Sequence, residues 1–184
     1  MPECFRTDCI PSFKNKKIFF DANIWIYIFC ELANSNIFFV RKYSKAFSSL
    51  LKSKNTIFTD LTIMSEFVNR YLRIAFTNYK NANNLSQFDY KRDYRKTDDF
   101  KEAWKTVCSI VNMKILSKSE IINFEYDKNS LKELLNIDET KTDFNDNHIV
   151  KICKTNDMYL LTNDSDFKNT NIKIISENKK CWNN

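Results

Sequence analysis

Short apolar runs alternate with longer helical patterns along the chain. Five of these runs have the continuous apolar character of strands that are buried on both faces of a sheet. They are Lys17-Ile18-Phe19-Phe20, Thr56-Ile57-Phe58-Thr59, Glu120-Ile121-Ile122-Asn123-Phe124, Met158-Tyr159-Leu160-Leu161-Thr162 and Asn171-Ile172-Lys173-Ile174-Ile175. Because helical patterns separate most of these strands, the sequence predicts an α/β sandwich, in which helices cover both faces of a mainly parallel sheet.

The chain has 184 residues, 43% of them hydrophobic and 28% charged, which is typical of one folded domain. We expect a single domain over 1–184, with an N-terminal extension at 1–16 and an exposed polar insertion at 81–97 between two helical stretches. No apolar run approaches the ~20 residues of a membrane-spanning helix, and the first fifteen residues lack the apolar segment of a signal peptide. Six cysteines without a Cys-x-x-Cys pair indicate buried, reduced thiols, so we expect a cytoplasmic protein with no membrane partner.

Glycine is absent from the chain, and histidine occurs once, at His148. Without glycine there is neither a P-loop nor a Gly-x-Gly fingerprint, because both bring backbone without a Cβ against a phosphate. A single histidine excludes His-rich zinc sites and mechanisms that need two imidazoles. Carboxylates therefore remain as the main candidates for chemistry. The net charge of +6 is compatible with a polyanionic partner but does not establish one.

Acidic residues stand directly after three of the predicted strands, at the edge where open parallel sheets bind ligands. Asp21 follows the first strand, Asp60 the second, and Asp164 and Asp166 the fourth. One aspartate at such a place is usually a turn residue or a helix N-cap, whereas several at one edge indicate a site. Asp21 also precedes an almost wholly apolar helical run, and a carboxylate held there either meets a cation or loses its charge.

The helical pattern at 143–153 carries two acids with different orientations. Asp146 lies on the apolar stripe of this helix, and Asp143 lies at its start. The two residues have the spacing of a capping box, in which Asp143 is the N-cap. Alternatively, Asp146 is a carboxylate aimed at the sheet. Both interpretations can hold together, because an acid in the first turn also gains from the helix dipole.

Glu66 falls opposite the core stripe of the helix that begins at Leu61, so periodicity alone predicts an exposed pair with Arg70. His148 also lies off the stripe of its helix, and we expect it at the surface. Cations and tyrosines in the insertion have the composition of a segment that follows a phosphate backbone, although a solvated loop is the simpler interpretation. The candidate RNA contacts in this segment are Lys91, Arg92, Arg95 and Lys96.

Four motifs, in this order, resemble a PIN-domain ribonuclease, especially the VapC-type toxins. They are Ile18-Phe19-Phe20-Asp21-Ala22-Asn23, Ser65-Glu66-Phe67-Val68-Asn69, Asp143-Phe144-Asn145-Asp146 and Leu161-Thr162-Asn163-Asp164-Ser165-Asp166-Phe167. The resemblance spans about Lys17 to Ile175 and rests on the order of the motifs. It implies a three-layer α/β/α fold whose five strands are ordered 3-2-1-4-5, and an acidic cluster that binds Mg²⁺ or Mn²⁺ for RNA hydrolysis.

Carried over by position, the resemblance implies catalytic acids at Asp21, Glu66, Asp146 and Asp164. Asp21, Asp146 and Asp164 would be metal ligands. The implied supporting residues are Asn23, Ser65, Asn69, Thr162, Asp143 and Asp166, with Asp166 as the alternative to Asp164. Clustered carboxylates repel one another unless a divalent cation compensates their charge, and ligands that are all oxygen favour Mg²⁺ or Mn²⁺ over Zn²⁺.

The sequence therefore predicts a metal-dependent endoribonuclease, the toxin of a VapBC-type pair. Its expected partners are RNA, a small antitoxin and a second copy of the chain. One alternative is a PIN-like module that binds nucleic acid or protein without catalysis and uses the acids as caps and turns. A second alternative is a haloacid-dehalogenase-like phosphatase, although Asn23 then stands where the general acid is needed. The chain is also longer than a compact VapC-type toxin, and the excess lies near 81–97.

Overall fold

The fold is a six-stranded, wholly parallel sheet in a computed structural model that describes residues 3–135 and 143–182. The outermost residues of the predicted 1–184 domain lie outside the described residues. The strands are β1 (Cys4–Phe5), β2 (Lys17–Phe20), β3 (Thr56–Thr59), β4 (Glu120–Ile121), β5 (Tyr159–Leu161) and β6 (Lys173–Ile175). Their order is β1-β6-β5-β2-β3-β4. The five predicted strands and their order 3-2-1-4-5 are confirmed, since that order corresponds to β4-β3-β2-β5-β6.

Helices on both faces of the sheet complete the three predicted layers. They are α1 (Ala22–Phe29), α2 (Ile37–Lys52), α3 (Leu61–Ala82), α4 (Asp98–Ile110), α5 (Lys128–Leu135) and α6 (Phe144–Thr155). Right-handed crossovers put α1 to α4 on one face, where α1 packs on α2 and α3, and α3 on α4. The connection from β4 to β5 crosses to the other side of β2, so α5 and α6 pack together on the opposite face. Among the described residues, no helix is both long enough and apolar enough to cross a membrane.

The central strands are buried on both faces, which explains their unbroken apolar runs. In β2 the side chains of Ile18, Phe19 and Phe20 are fully buried, and so are Leu160 and Leu161 in β5. A strand with only one buried face would instead alternate apolar and polar residues. The carboxyl ends of β2 and β5 therefore emerge side by side from the middle of the core, with Phe20 paired to Leu161.

The N-terminal extension contributes a strand that the sequence pattern does not reveal. β1 pairs with β6 at the edge of the sheet, with Cys4 opposite Ile174. The 3₁₀ helix that follows it, Thr7–Ser12, buries Ile10 completely. A strand of two residues is too short to show a hydrophobic period, so sequence reasoning missed it.

Turns that need a left-handed backbone are made without glycine. Among the described residues, positive φ occurs at Asn15, Asp157, Asn84 and Lys54, between 50° and 54°. Three of these four are Asn or Asp, whose short polar side chains reduce the cost of this conformation.

The insertion at 81–97 is not the fully exposed excursion that its polarity predicts. Its beginning belongs to α3, which ends at Ala82, and Tyr94 is completely buried. The Tyr94 ring packs 5.3 Å from the ring of Phe76 and 5.9 Å from that of Tyr90. Isolated aromatic residues in a polar stretch produce no period, so this packing is invisible in the pattern.

Candidate active site

Asp21 lies at the carboxyl end of β2 and is the N-cap residue of α1, which begins at Ala22. Its backbone N–H donates to Leu161 O at 3.1 Å and so extends the pairing of β2 with β5. Its side chain makes no capping hydrogen bond and is only 6% exposed. The carboxylate is therefore buried at the sheet edge without the usual capping role of an aspartate.

Two side chains fix the orientation of this carboxylate. Asn23 Nδ2 donates to Asp21 Oδ2 at 2.5 Å, and Thr162 Oγ1 donates to the same oxygen at 2.6 Å. The Thr162 hydroxyl in turn accepts from Asp164 N at 2.9 Å, and Asn23 Oδ1 accepts from Asn163 N at 3.1 Å. The network links the ends of β2 and β5, so two of the supporting residues, Asn23 and Thr162, lie directly against Asp21.

Burial raises the pKa of Asp21 to about 6, against the opposing effect of the Thr162 and Asn23 hydrogen bonds. The charges of Glu66 and Asp164 raise this pKa further. Mutual effects of this kind require the carboxylates to lie close together. The structure therefore brings acids from β2, α3 and the segment after β5 to one edge of the sheet.

Asp146 has both of the roles that its position in the sequence allows. It forms a capping box with Asp143, in which Asp146 N donates to Asp143 Oδ1 at 2.9 Å and Asp143 N donates to Asp146 Oδ2 at 3.1 Å. Burial raises the pKa of Asp146 to about 6, although the Asp143 backbone hydrogen bond lowers it. The charges of Asp143, Asp164 and Asp21 contribute to the rise, so Asp146 also faces the other acids.

Glu66 joins the same group, and the periodicity-based prediction that it is exposed is wrong, although the predicted interaction with Arg70 is present. Glu66 is half-buried, and burial raises the pKa of its carboxyl while the Arg70 charge lowers it. The charges of Asp143, Asp146 and Asp164 raise it further. The physical reason is that α3 has a second neighbour: its first turn stands beside α6, where Thr62 Oγ1 lies 3.4 Å from His148 Nε2.

The remaining predicted residues are exposed. Ser65 and Asn69 are exposed on α3 and are joined by a hydrogen bond of 3.4 Å. Asp166 is exposed, and its backbone N–H donates to Asp164 Oδ1 at 3.0 Å. Asp164, unlike Asp166, contributes to the raised pKa of Asp21, Glu66 and Asp146.

The basic residues of the insertion are not brought to the acids. Each of them is exposed, and none contributes to the pKa shifts of the acidic group; they are Lys91, Arg92, Arg95 and Lys96. Arg92 Nε pairs with Asp93 Oδ1 at 3.3 Å. The four cations are also matched by four acids within 89–99, so this segment has no net charge of its own.

The acids have the chemistry of a site for a hard divalent cation. Within 3–135 and 143–182, no group of three or more His, Cys, Asp or Glu side chains is arranged to hold a metal ion. Burial and, to a smaller extent, their mutual repulsion nevertheless raise the pKa of three carboxyls, and a bound divalent cation would relieve the repulsion. Oxygen donors without imidazole or thiolate match Mg²⁺ and Mn²⁺, and Asp21, Asp146 and Asp164 are the residues that would hold the ion.

The raised pKa of Asp21 predicts how stability depends on pH without metal. The carboxyl titrates near 6 in the folded chain and near 3.8 as an ordinary aspartate, so its ionisation opposes folding on the order of 3 kcal/mol at pH 7. This penalty disappears as the pH falls from 7 towards 4. In EDTA we expect the midpoint of thermal unfolding to rise between pH 7.5 and pH 5, measured by circular dichroism, and Mg²⁺ to stabilise the protein at pH 7.5 more than at pH 5. A midpoint that falls over this range would contradict the prediction.

Sequence reasoning placed Asp60 at the sheet edge but missed its pairing with His148 in a second buried polar group. Asp60 follows β3, caps α3 by accepting from Ile63 N at 2.8 Å, and lies 2.5 Å from His148 Nε2. The other ring nitrogen of His148 lies 2.5 Å from the hydroxyl of Tyr126. The prediction of a surface histidine is therefore wrong: the His148 side chain is 12% exposed and connects α6 to the start of α3. Two features of the sequence could have indicated this contact: His148 is the single histidine, and Asp60 directly follows a strand.

Comparisons with known proteins agree with this architecture. Residues 18–173 match the family model described as PIN domain. Among solved structures, the chain is similar to one in the crystal structure of VapBC2 from Rickettsia felis bound to a DNA fragment from their promoter, with a TM-score of 0.52. The two sequences are 18% identical, and the match covers 87% of this chain and 98% of that one, so the likeness concerns the fold. No curated protein matches the sequence.

Proposed function

The chain belongs to the PIN domain family, and on this basis we propose that it is a metal-dependent endoribonuclease of the VapC type. The family that the four sequence motifs predict is thereby confirmed. PIN domains are generally nucleases, and they generally use divalent metal ions. The choice of RNA as substrate and of Mg²⁺ or Mn²⁺ as the ion is our proposal.

One observation carries the proposal. Acids from separate parts of the chain act on one another at the carboxyl edge of the sheet. Burial raises the pKa of Asp21, Glu66 and Asp146, and the charges of neighbouring acids, Asp164 among them, raise it further. A protein that used these acids only as caps and turns would gain nothing from this repulsion. Asp21 in particular is buried without capping α1, so its position supports a role in binding rather than in folding.

The residues divide the reaction between them. Asp21, Asp146 and Asp164 would hold Mg²⁺ or Mn²⁺, which supplies positive charge to the phosphodiester and to the attacking water when bound. Asn23 and Thr162 hold the Asp21 carboxylate in place. Glu66, whose pKa is raised, accepts the proton of the water as the water oxygen bonds to the phosphorus. The bond from phosphorus to the 3′-oxygen breaks, and the 3′-oxygen takes up a proton from solvent. The products are a 5′-phosphate and a 3′-hydroxyl.

The geometry disfavours the phosphatase alternative. That mechanism needs a general acid two residues after the nucleophile, the position of Asn23. The Asn23 amide is occupied on both sides, since its nitrogen donates to Asp21 and its oxygen accepts from Asn163 N. An amide also has no proton of suitable acidity to give to a leaving group.

A small antitoxin is the proposed partner of the chain, and a homodimer is the proposed assembly. The support for the antitoxin is the similarity of fold to VapBC2 of Rickettsia felis, whose structure was solved with DNA from the promoter. An exposed edge strand, β4, with Ile121 more than half exposed, offers apolar surface to a partner.

Cleavage of a labelled pool of structured RNAs by the purified chain, beside single-stranded DNA of the same sequences, tests the proposal. We expect cutting of RNA with Mg²⁺ or Mn²⁺, none with EDTA, and products with 5′-phosphate ends. Asp164→Asn should lose at least about 100-fold in rate and Asp166→Asn less than about 3-fold, because only Asp164 acts on the other acids. Cutting that continues in EDTA would exclude the carboxylate mechanism. A folded, metal-supplied chain that cuts no RNA would support the alternative of a binding module.

A further inference from the structure

A cavity of about 370 Å³ opens between α1 and α3, beside the acids. We propose that this cavity binds one nucleotide of the RNA strand next to the bond that is cut; the inference rests on the proposed function of the acids. Its volume lies in the ordinary range for small-molecule sites, which is roughly 300–1,000 Å³. Part of its wall is apolar, with Ile26, Tyr27 and Ile74, and part carries amides and hydroxyls, including Asn34 and Thr77.

Two residues connect the cavity to the acidic group. Asn23 lines the cavity and donates to the Asp21 carboxylate, and Arg70 lines it while its charge lowers the pKa of Glu66. The cavity is therefore adjacent to the acidic group. A strand with one nucleotide in the cavity can therefore continue towards Asp21 and Glu66.

The charge of the cavity selects a phosphate-bearing ligand. Arg70 and Arg73 line it, and no carboxylate does so among the described residues. Arginine presents a planar fork of donors that matches a phosphate group. An RNA strand could therefore lie across the cavity and the acidic group. One of its phosphates would bind between the two arginines, and the next would lie at the acids. Arg73 lies seven residues beyond Glu66 on α3, and hence about 10 Å along the helix.

The Tyr27 side chain in the apolar wall is held in place by its neighbours before any ligand binds. The Tyr27 hydroxyl accepts from Asn163 Nδ2 at 3.0 Å, and its ring stacks on Tyr43 at 5.5 Å with an angle of 26°. A rigid aromatic wall accepts any base, because every base has a flat π-face. The amide of Asn34 on the cavity wall adds hydrogen-bonding capacity for a base edge.

The insertion contributes to this cavity through one aromatic residue. The Tyr90 ring centre lies 4.0 Å from the guanidinium carbon of Arg73, which is a close cation–π contact. The basic residues of the same segment are balanced by neighbouring acids, as Arg92 is by Asp93. Tyr90 is thus a positioning residue for Arg73, and through this contact the insertion acts on the cavity.

Binding of a short fluorescent single-stranded RNA of mixed sequence to the full chain in EDTA tests the proposal. Arg70→Gln and Arg73→Gln should each weaken binding roughly 10-fold and lower the slope of affinity against salt by about 1. The matched control, Arg41→Gln, removes an exposed arginine of α2 that does not line the cavity, and should change affinity less than about 2-fold. Tyr90→Leu alone should weaken RNA binding, but it should weaken binding little further when it is combined with Arg73→Gln.

Competition identifies the occupant. A nucleoside 5′-monophosphate should displace the RNA at concentrations where inorganic phosphate does not; equal competition by phosphate would overturn the nucleotide assignment. Equal weakening of RNA binding by Arg41→Gln and Arg73→Gln would mean a general charge effect and would also overturn the nucleotide assignment.

Cleavage of RNA with Mg²⁺ separates the cavity proposal from the nuclease proposal. If the wild type cuts RNA and Arg73→Gln leaves KM unchanged, the cavity assignment is wrong and the nuclease stands. If RNA binds in an Arg73-dependent way and is never cut, the cavity stands and the nuclease is wrong.

Discussion

Asp21→Asn is expected to lower metal-dependent cleavage by about 1000-fold or more while leaving the fold at least as stable as the wild type at pH 7. The loss of rate follows because the amide is a poor ligand for Mg²⁺ and carries no negative charge. The amide oxygen can still accept the hydrogen bonds that Asn23 Nδ2 and Thr162 Oγ1 donate to Oδ2 of the carboxylate. The network that joins β2 to β5 therefore survives the substitution.

Stability should rise because burial and the neighbouring acids raise the pKa of Asp21 to about 6. At pH 7 the wild-type carboxylate is ionised in the folded chain at a cost, and asparagine has no such cost. Cleavage rate and urea unfolding in EDTA, measured on the same preparation, check the two parts of the prediction. A variant that cuts RNA at the wild-type rate would show that the acids are not the site.

Asp60→Asn is the matched control for this substitution. Asp60 is also a buried aspartate that directly follows a strand, but it caps α3 and pairs with His148. We expect Asp60→Asn to lower stability and to leave the cleavage rate of the folded protein within about 10-fold of the wild type. Opposite effects of the two substitutions separate a carboxylate held for chemistry from one held for folding.

His148→Ala is expected to destabilise the protein by about 3 kcal/mol, the second large effect. It leaves the Asp60 carboxylate buried without its partner at 2.5 Å and deprives the Tyr126 hydroxyl of its contact. Breaking a buried pair by removing one partner is costly, because the other charge stays out of water. Tyr126→Phe removes one hydrogen bond and should cost only about 1 kcal/mol.

Urea unfolding at pH 7 in EDTA, with Asp60→Asn and the double variant, checks this prediction. The double variant should lose less than the sum of the two single variants, since each single substitution breaks the same contact. Additive losses, or a loss below about 0.5 kcal/mol for His148→Ala, would mean that the contact contributes little to stability.

The sequence pattern was sufficient for the sheet because its central strands are buried on both faces. The runs at Ile18–Phe20 and Tyr159–Leu161 have an unbroken apolar character that few other structures produce. Their order followed from the resemblance carried by the four motifs. The edge strand at Cys4–Phe5 escaped prediction, because two residues pairing at a sheet edge need neither a period nor continuous apolarity.

The candidate site could be predicted where it depends on the ends of strands and not where it depends on contacts between helices. Helical periodicity shows which face of a helix packs on the sheet. Glu66 and His148 lie off that face, so periodicity predicted both as exposed. Both lie near the start of α3, where that helix meets α6, so each has a second neighbour that no period along one helix can show. Asp21 and Asp60 look alike in sequence, and only their partners in space distinguish them.

Binding of Mn²⁺ to the wild type and to Asp21→Asn, measured by electron paramagnetic resonance without RNA, tests the proposed metal site most directly, since it does not require the natural substrate. The wild type should bind Mn²⁺ at pH 7.5, Mg²⁺ should compete for the same site, and Asp21→Asn should weaken binding at least about 10-fold. Equal binding by the two proteins, or no binding by the folded wild type, would show that these carboxylates do not form a metal site.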